Sequence, residues 1–255
     1  MIWVRRFAKI ALAIAALAFA GVAYLWFTVP DVRPLRTTVP ASTAFMDLRA
    51  REARDAGKPV RKVQRWIPYG RISPLLVRAV LVSEDAAFWS HNGIDYDELK
   101  AAIETSIEKG QPMRGASTIT QQLAKNLYLS PSRNPTRKLT ELFITRRLEA
   151  ELPKRRILEL YLNLIEWGDG IWGCEAAAQS YFGVSAADLS PAQAALLAAA
   201  IINPRRYSPA HPNAVLLKRQ AIILKRMGDV TPPPTVEKSG SEDAPGADKS
   251  GAPIR

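Results

Sequence analysis

Two acids, two aromatic residues and a histidine crowd into one stretch of the chain, Ser83 to Gly93 (SEDAAFWSHNG). It ends a run of almost wholly apolar residues. A carboxylate delivered by a buried helix to its own C-terminal end is placed for general acid or base chemistry, which makes Glu84 the first candidate. The competing reading is a structural salt bridge to a neighbouring arginine. Further along, RGASTITQQLAKNLYL sets Ser117, Thr118, Gln121, Gln122 and Lys125 on one helical face and Ile119, Leu123 and Leu127 on the other. Short hydroxyls and amides on a helix suit the wall of a polar cleft, and Gly115-Ala116-Ser117 leaves backbone N–H groups for an anion. The plainer reading is a Ser117 N-cap and a solvated face. Arg133, Arg137 and Lys138, with Lys125, then form a cationic group beside Glu141. Bidentate guanidinium donors and a mobile ammonium suit a diphosphate, against the alternative of a solvated basic face. In KRRILELYLNLIEWG, Glu159, Asn163 and Glu166 share a stripe that lines the same cleft or faces water.

Helices must position these groups. Ser73 suits an N-cap and Pro74 the first helical position. Leu75 to Val82 leave only Arg78 polar, so this helix belongs inside, with Gly93 available to end it. Leu99, Ile103 and Ile107 recur at a four-residue period and predict an amphipathic helix over 95–108, stopped by Gly110 and Pro112. Residues 130–136 read as a loop. A helix opens at Arg137 with Leu142, Ile144, Leu148 and Leu152 inward, and another at Lys154 after Pro153. A glycine-rich turn spans 168–173, and short helices cover 174–181, 192–202 after Ser190-Pro191, and 213–227. No alternating strand pattern and no internal repeat stands out. The domain is expected to be mainly α.

Between Lys9 and Asp31 there is no charge, and Ile10 to Val29 is long enough to cross a bilayer as a helix. Arg5, Arg6 and Lys9 place its N-terminal side in the cytoplasm and the rest beyond the membrane. A cleaved signal peptide, with Ala18-Phe19-Ala20 as the processing site, is the alternative, but the apolar run continues well past it. The expected division is a cytoplasmic N-terminus over 1–9, a transmembrane helix over 10–29, and a membrane-proximal linker over 30–65 with a short exposed helix near 44–56. A catalytic domain over 66–228 and a disordered tail over 229–255 complete it. The net charge of +11 calls for an anionic partner. The single Cys174 excludes an intramolecular disulfide and any multi-cysteine metal site.

Taken together, SEDAAFWSHNGID, RGASTITQQLAKN, RKLTELF and KRRILELYLNLIEWGDGIWGCEAAAQSYFG resemble the peptidoglycan glycosyltransferase family, in particular its monofunctional members. The resemblance runs from about Trp66 to Arg226. It implies a lysozyme-like helical fold and polymerisation of lipid II into β-1,4-linked glycan strands with release of undecaprenyl diphosphate. No Ser-x-x-Lys plus Lys-Thr-Gly set is present and the last helix leaves no room for a transpeptidase domain, so a single activity is expected. By resemblance Glu84 is the general base and Glu141 the second essential acid, near the diphosphate and a divalent cation, Mg²⁺ or Mn²⁺, if one is used. Asp85, Phe88 and His91 shape the site and hold sugar or diphosphate. Ser117, Thr118, Gln121, Gln122 and Lys125 line the cleft, Arg133, Arg137 and Lys138 neutralise the leaving group, and Glu159 and Asn163 are architectural. The partners implied are lipid II, the growing glycan strand, the bilayer of the inner membrane and other cell wall synthesis or division proteins. Nucleic acid is not among them, since the basic charge answers to anionic lipid and diphosphate. The competing functions are a muramidase-like glycoside hydrolase, in which Glu84 and Glu141 would be the paired carboxylates, and a non-catalytic membrane scaffold.

Overall fold

The computed structural model describes residues 2–111, 115–131 and 134–228; the expected tail and Arg133 lie outside them. Ten α-helices and one small sheet occur among the described residues. The first helix, α1 (Ile2–Thr28), is long and apolar enough to cross a membrane, and most of its described side chains are exposed. It begins earlier than the apolar run, because Arg5, Arg6 and Lys9 are good helix formers and continue it.

The segment over 30–65, expected as a linker, packs on the folded body. Val32, Leu35 and Met46 are buried, Met46 on α2 (Ala44–Asp55), which is capped by the Thr43 hydroxyl. Arg156 holds the stretch before α2 by donating to the Leu35 and Thr38 carbonyls at 2.7 and 2.9 Å. β1 (Val63–Gln64) adds a strand beside β3 (Ile171–Trp172), parallel, while β2 (Glu166–Gly168) pairs with β3 antiparallel. These strands are too short for alternation to show in the sequence, which is why none was expected.

The core is built on α3 (Pro74–Glu84), with the Ser73 hydroxyl accepting from the Leu75 N–H and Pro74 in the first turn as expected. Leu76, Val77, Ala79, Val80, Leu81 and Val82 are buried, and each large member contributes about 1.5 to 3 kcal/mol by leaving water. α9 (Pro191–Ala200), capped by Ser190, lies against α3 with Ala194 to Ala200 buried, and α10 (Ala214–Arg226) packs on α9. Alanine permits this close approach because no larger side chain holds the helix axes apart. On the other side α5 (Ile119–Tyr128) rests on α6 (Pro135–Glu151) and α7 (Lys154–Leu164). The sixth helix starts two residues earlier than expected, since Asn134 caps it and Pro135 takes the first turn.

α4 (Tyr96–Lys109), capped by Asp95 and ended by Gly110 with φ 59°, buries none of its residues and leaves Ile103 and Ile107 exposed. α8 (Cys174–Phe182) follows Gly173, where a side chain would meet the Asn163 carbonyl at 2.7 Å. Cys174 is fully buried, and burial pushes its thiol up to about 12, so it is an inert packed group. The anchor helix docks onto the domain: Trp26 meets Phe143 of α6 edge to face with centroids 6.2 Å apart, and Arg147 stacks over Trp26 while donating to the Val29 carbonyl.

Candidate active site

Glu84 is the last residue of α3, partly exposed. Its Oε1 accepts from the Ser83 hydroxyl at 3.1 Å and its Oε2 from the Gln122 side-chain N–H of α5 at 3.0 Å. No arginine pairs with it among the described residues, so the salt-bridge alternative is not what the fold adopts.

The helix stops here because of Asp85, not Gly93. Asp85 leaves the helical conformation, and its buried carboxylate accepts from the Ile119 N–H in the first turn of α5 at 2.9 Å. The other oxygen meets His91 Nε2 at 2.9 Å, while His91 Nδ1 accepts from the Gly93 N–H at 3.1 Å. That second bond assigns the tautomer: the hydrogen sits on Nε2 and points at Asp85. Gly93, φ 86°, belongs to the loop, where a side chain would strike Thr145 and Glu149 of α6 at 2.7 and 2.9 Å. Thr118, and not Ser117, caps α5 in a capping box with Gln121, and the Thr118 hydroxyl donates to the Gly93 carbonyl at 2.7 Å. Asp85 is thus an anion of the protein's own at the first turn of α5, while Gly115, Ala116 and Ser117, where an anion was expected, line two cavities. Asp85, His91, Thr118 and Gln121 together tie the end of α3 to the start of α5. Phe88 is buried, with the Lys154 ammonium 4.4 Å over its ring and Trp89 edge-on, which braces the same loop.

Of the cations expected beside Glu141, which is buried on α6, Arg137 and Lys138 pair with it, while Arg133 lies outside the described residues. Arg137 Nη1 donates to Oε2 at 2.6 Å and Lys138 donates to Oε1. Lys125, half-buried on α5, is held in the field of Glu141, Arg137, Lys138 and Glu84. Burial lowers the pKa of its ammonium, opposed by Glu141. Its Nζ also lies 5.8 Å from the Phe45 ring centroid, a contact supplied by α2 that the sequence did not suggest. Glu159 and Asn163 stand apart from this group. Glu159 accepts from the Tyr69 N–H and from Arg156, and fully buried Asn163 bonds both backbone groups of Ile67. Glu166, on the same stripe, pairs with Arg49 of α2.

Two cavities meet at Ser117. The smaller, about 220 Å³, is lined by Glu84, Asp85, Asp95, Glu98, Ser117 and Arg226. Arg226 escaped sequence reasoning because nothing in a mixed apolar and basic helix says which cation faces a cleft. The larger, about 710 Å³, is mostly apolar, with Ile94, Leu99, Leu139 and Leu142 beside Gln121 and Lys138.

The transglycosylase family model matches residues 52–228. A biosynthetic peptidoglycan transglycosylase of Laribacter hongkongensis is 48% identical over 194 residues, 76% of this chain and 85% of that protein. Proteins of the same description from Chromobacterium violaceum and Rhodospirillum centenum are 44% identical over 213 residues and 54% over 167, covering 84% and 66% of this chain and 93% and 72% of theirs. With a helical domain of this kind and an apolar N-terminal helix in place, the chain belongs to the biosynthetic peptidoglycan transglycosylases, glycosyltransferases that polymerise glycan strands in cell wall synthesis.

Proposed function

We propose that the substrate is lipid II and that Glu84 is the general base of its polymerisation. Glu84 takes the proton of the acceptor sugar's 4-hydroxyl as that oxygen attacks the anomeric carbon of the donor. The new C–O bond forms as the bond from that carbon to the diphosphate breaks, and undecaprenyl diphosphate leaves. A diphosphate departs without needing a proton at neutral pH, so one base suffices and charge stabilisation is the larger need. Lys125, Arg137 and Lys138 supply it. The observation that carries the reading is Lys125, half-buried on α5 and standing in the field of both acids, Glu84 and the Glu141 that holds Arg137 and Lys138. The apolar cavity beside Lys138 suits the start of a polyprenyl chain. Glu141, paired on both oxygens, is a holder of cations and a poor partner for Glu84 in glycoside hydrolysis, where both carboxylates must be free to act.

The same pairing bears on the divalent cation. Each oxygen of Glu141 is already bonded to a protein cation, and in the cluster of Asp85, His91 and Asp95, whose ligand atoms lie within 4.8 Å of one another, both Asp85 oxygens, His91 Nδ1 and one oxygen of Asp95 accept hydrogen bonds from the protein. Paired in this way, Glu141 does not fit a protein-held Mg²⁺ or Mn²⁺. The anchor helix is read as a single span with Arg5, Arg6 and Lys9 in the cytoplasm and the domain on the outer face of the inner membrane, where protease added to spheroplasts would digest it. Polymerisation of lipid II by the Glu84→Gln variant tests the proposal: a fall of roughly a hundredfold or more is expected with the fold intact, and an unchanged polymer yield would refute it.

A further inference from the structure

Tyr161 sits on the apolar face of α7 with Ile157, Leu160 and Leu164, and its ring is completely buried. A tyrosine buried this deeply needs a partner for its hydroxyl. It donates to the Gln122 side-chain oxygen at 2.9 Å. The nitrogen of that same amide donates to Glu84 Oε2 at 3.0 Å and reaches the Ser117 carbonyl at 3.4 Å. Turned over, the amide would press its oxygen against the Glu84 carboxylate and the Ser117 carbonyl, two acceptors. Three neighbours therefore agree on one orientation. Burial, reinforced by the charges of Glu84 and Asp85, pushes the phenol well above its ordinary range, so Tyr161 keeps its hydrogen and remains a donor.

We propose that Tyr161 is a positioning residue for polymerisation, holding the Gln122 amide and, through it, the Glu84 carboxylate in the attitude from which it reaches the acceptor hydroxyl. The inference rests on Glu84 being the base. The need for such a brace follows from the other oxygen. Among the described residues Oε1 has only the Ser83 hydroxyl, which also reaches the Ala198 carbonyl at 3.4 Å, and one hydrogen serves one of these at a time. The Gln122 bond is the one that does not alternate. A catalytic group displaced by about 1 Å can lose a factor of roughly 100 in rate, so a bond that stops a carboxylate from turning acts on turnover more than on binding.

The test is lipid II polymerisation by the full-length chain in detergent micelles, with kcat and KM measured separately for Tyr161→Phe in the wild-type and Gln122→Ala backgrounds. In the wild type, Tyr161→Phe is expected to lower kcat by roughly tenfold or more at unchanged KM, with the melting temperature within a few degrees. In the Gln122→Ala background the same change should cost less than about twofold, because the route to Glu84 is already cut. Equal costs in both backgrounds, or a wild-type kcat, would overturn the proposal, since a purely packing role adds independently. Should Tyr161→Phe fail to fold, Gln122→Met takes its place, and wild-type turnover by that variant would overturn the relay. Glu84→Gln is measured alongside. Activity there sinks the assignment of the base itself, whereas an inactive Glu84→Gln beside a fully active Tyr161→Phe sinks only the role of Tyr161.

Discussion

Replacing Asp85 by asparagine keeps the shape of the side chain, removes its charge and exchanges one acceptor for a donor. In the native fold its two oxygens accept from the Ile119 N–H and from His91 Nε2, both at 2.9 Å, in a site where Asp85 is 8% exposed. An asparagine oxygen can serve one of these, and its amide nitrogen must then face the other donor. His91 has no escape by changing tautomer, because a hydrogen on Nδ1 would confront the Gly93 N–H. One buried donor is left unmet whichever way the amide turns, at about 1 to 3 kcal/mol. Loss of the negative charge at the start of α5 adds about 0.3 to 1 kcal/mol, for a total near 1 to 4 kcal/mol. For a domain of this size that corresponds to a melting temperature lower by about 3 to 15 °C. Thermal unfolding of Asp85→Asn in detergent micelles, followed by circular dichroism, reads the shift, and KM for lipid II at low temperature reads binding by the folded fraction. The expected result is a large loss of stability at near-native KM. A melting temperature within about 2 °C of the wild type, with KM raised several-fold, would mean that the carboxylate touches substrate and that the clamp argument is wrong.

Three further expectations follow from the same structure. Asn163→Ala strips the Ile67 N–H and carbonyl of their partner and should cost about 2 to 4 kcal/mol in chemical denaturation; a cost under about 0.5 kcal/mol would show that the segment before α3 is held by other contacts. Burial lowers the pKa of Lys125, opposed by Glu141, deepened by Arg137 and Lys138 and opposed again by Glu84, so the folded chain loses this proton at a pH below that of an unfolded lysine, about 10.4. Within that window the unfolded chain binds more protons, so this group's contribution to stability improves as pH rises while activity falls. The alkaline limb of kcat/KM should lie below about 10.4 and move upward in Lys125→Arg, and a limb unmoved by that change would remove Lys125 from the reaction. Titration of the substrate-free protein with Mn²⁺, followed by electron paramagnetic resonance, should find no site tighter than about millimolar, and a site filled at micromolar Mn²⁺ would contradict the reading of Glu141.

Much of the architecture was legible one helix at a time. Ser73 with Pro74, Asp95 and Ser190 start their helices where local capping chemistry says, because a cap is a bond between residues two or three apart. The apolar run before Asp31 required a long helix, and the spacing of Arg137, Lys138 and Glu141 put two cations within one turn of an acid. Four motif blocks in order carried the family. What escaped were the partners across the fold. Asp85 reaches 34 positions along the chain to Ile119, Tyr161 reaches 39 back to Gln122, and Asn163 reaches 96 back to Ile67. Helical periodicity says which face of a helix is buried; it is silent on what lies opposite. The sequence by itself determined the anchor, the helices and the inventory of acids and cations, since those depend on neighbours in the chain. Tertiary structure alone decided that, of two neighbouring acids lining one cavity, Glu84 keeps a partly exposed carboxylate while both oxygens of Asp85 are consumed as a clamp, because that choice is made by the backbone donors and side chains other helices bring to each carboxylate.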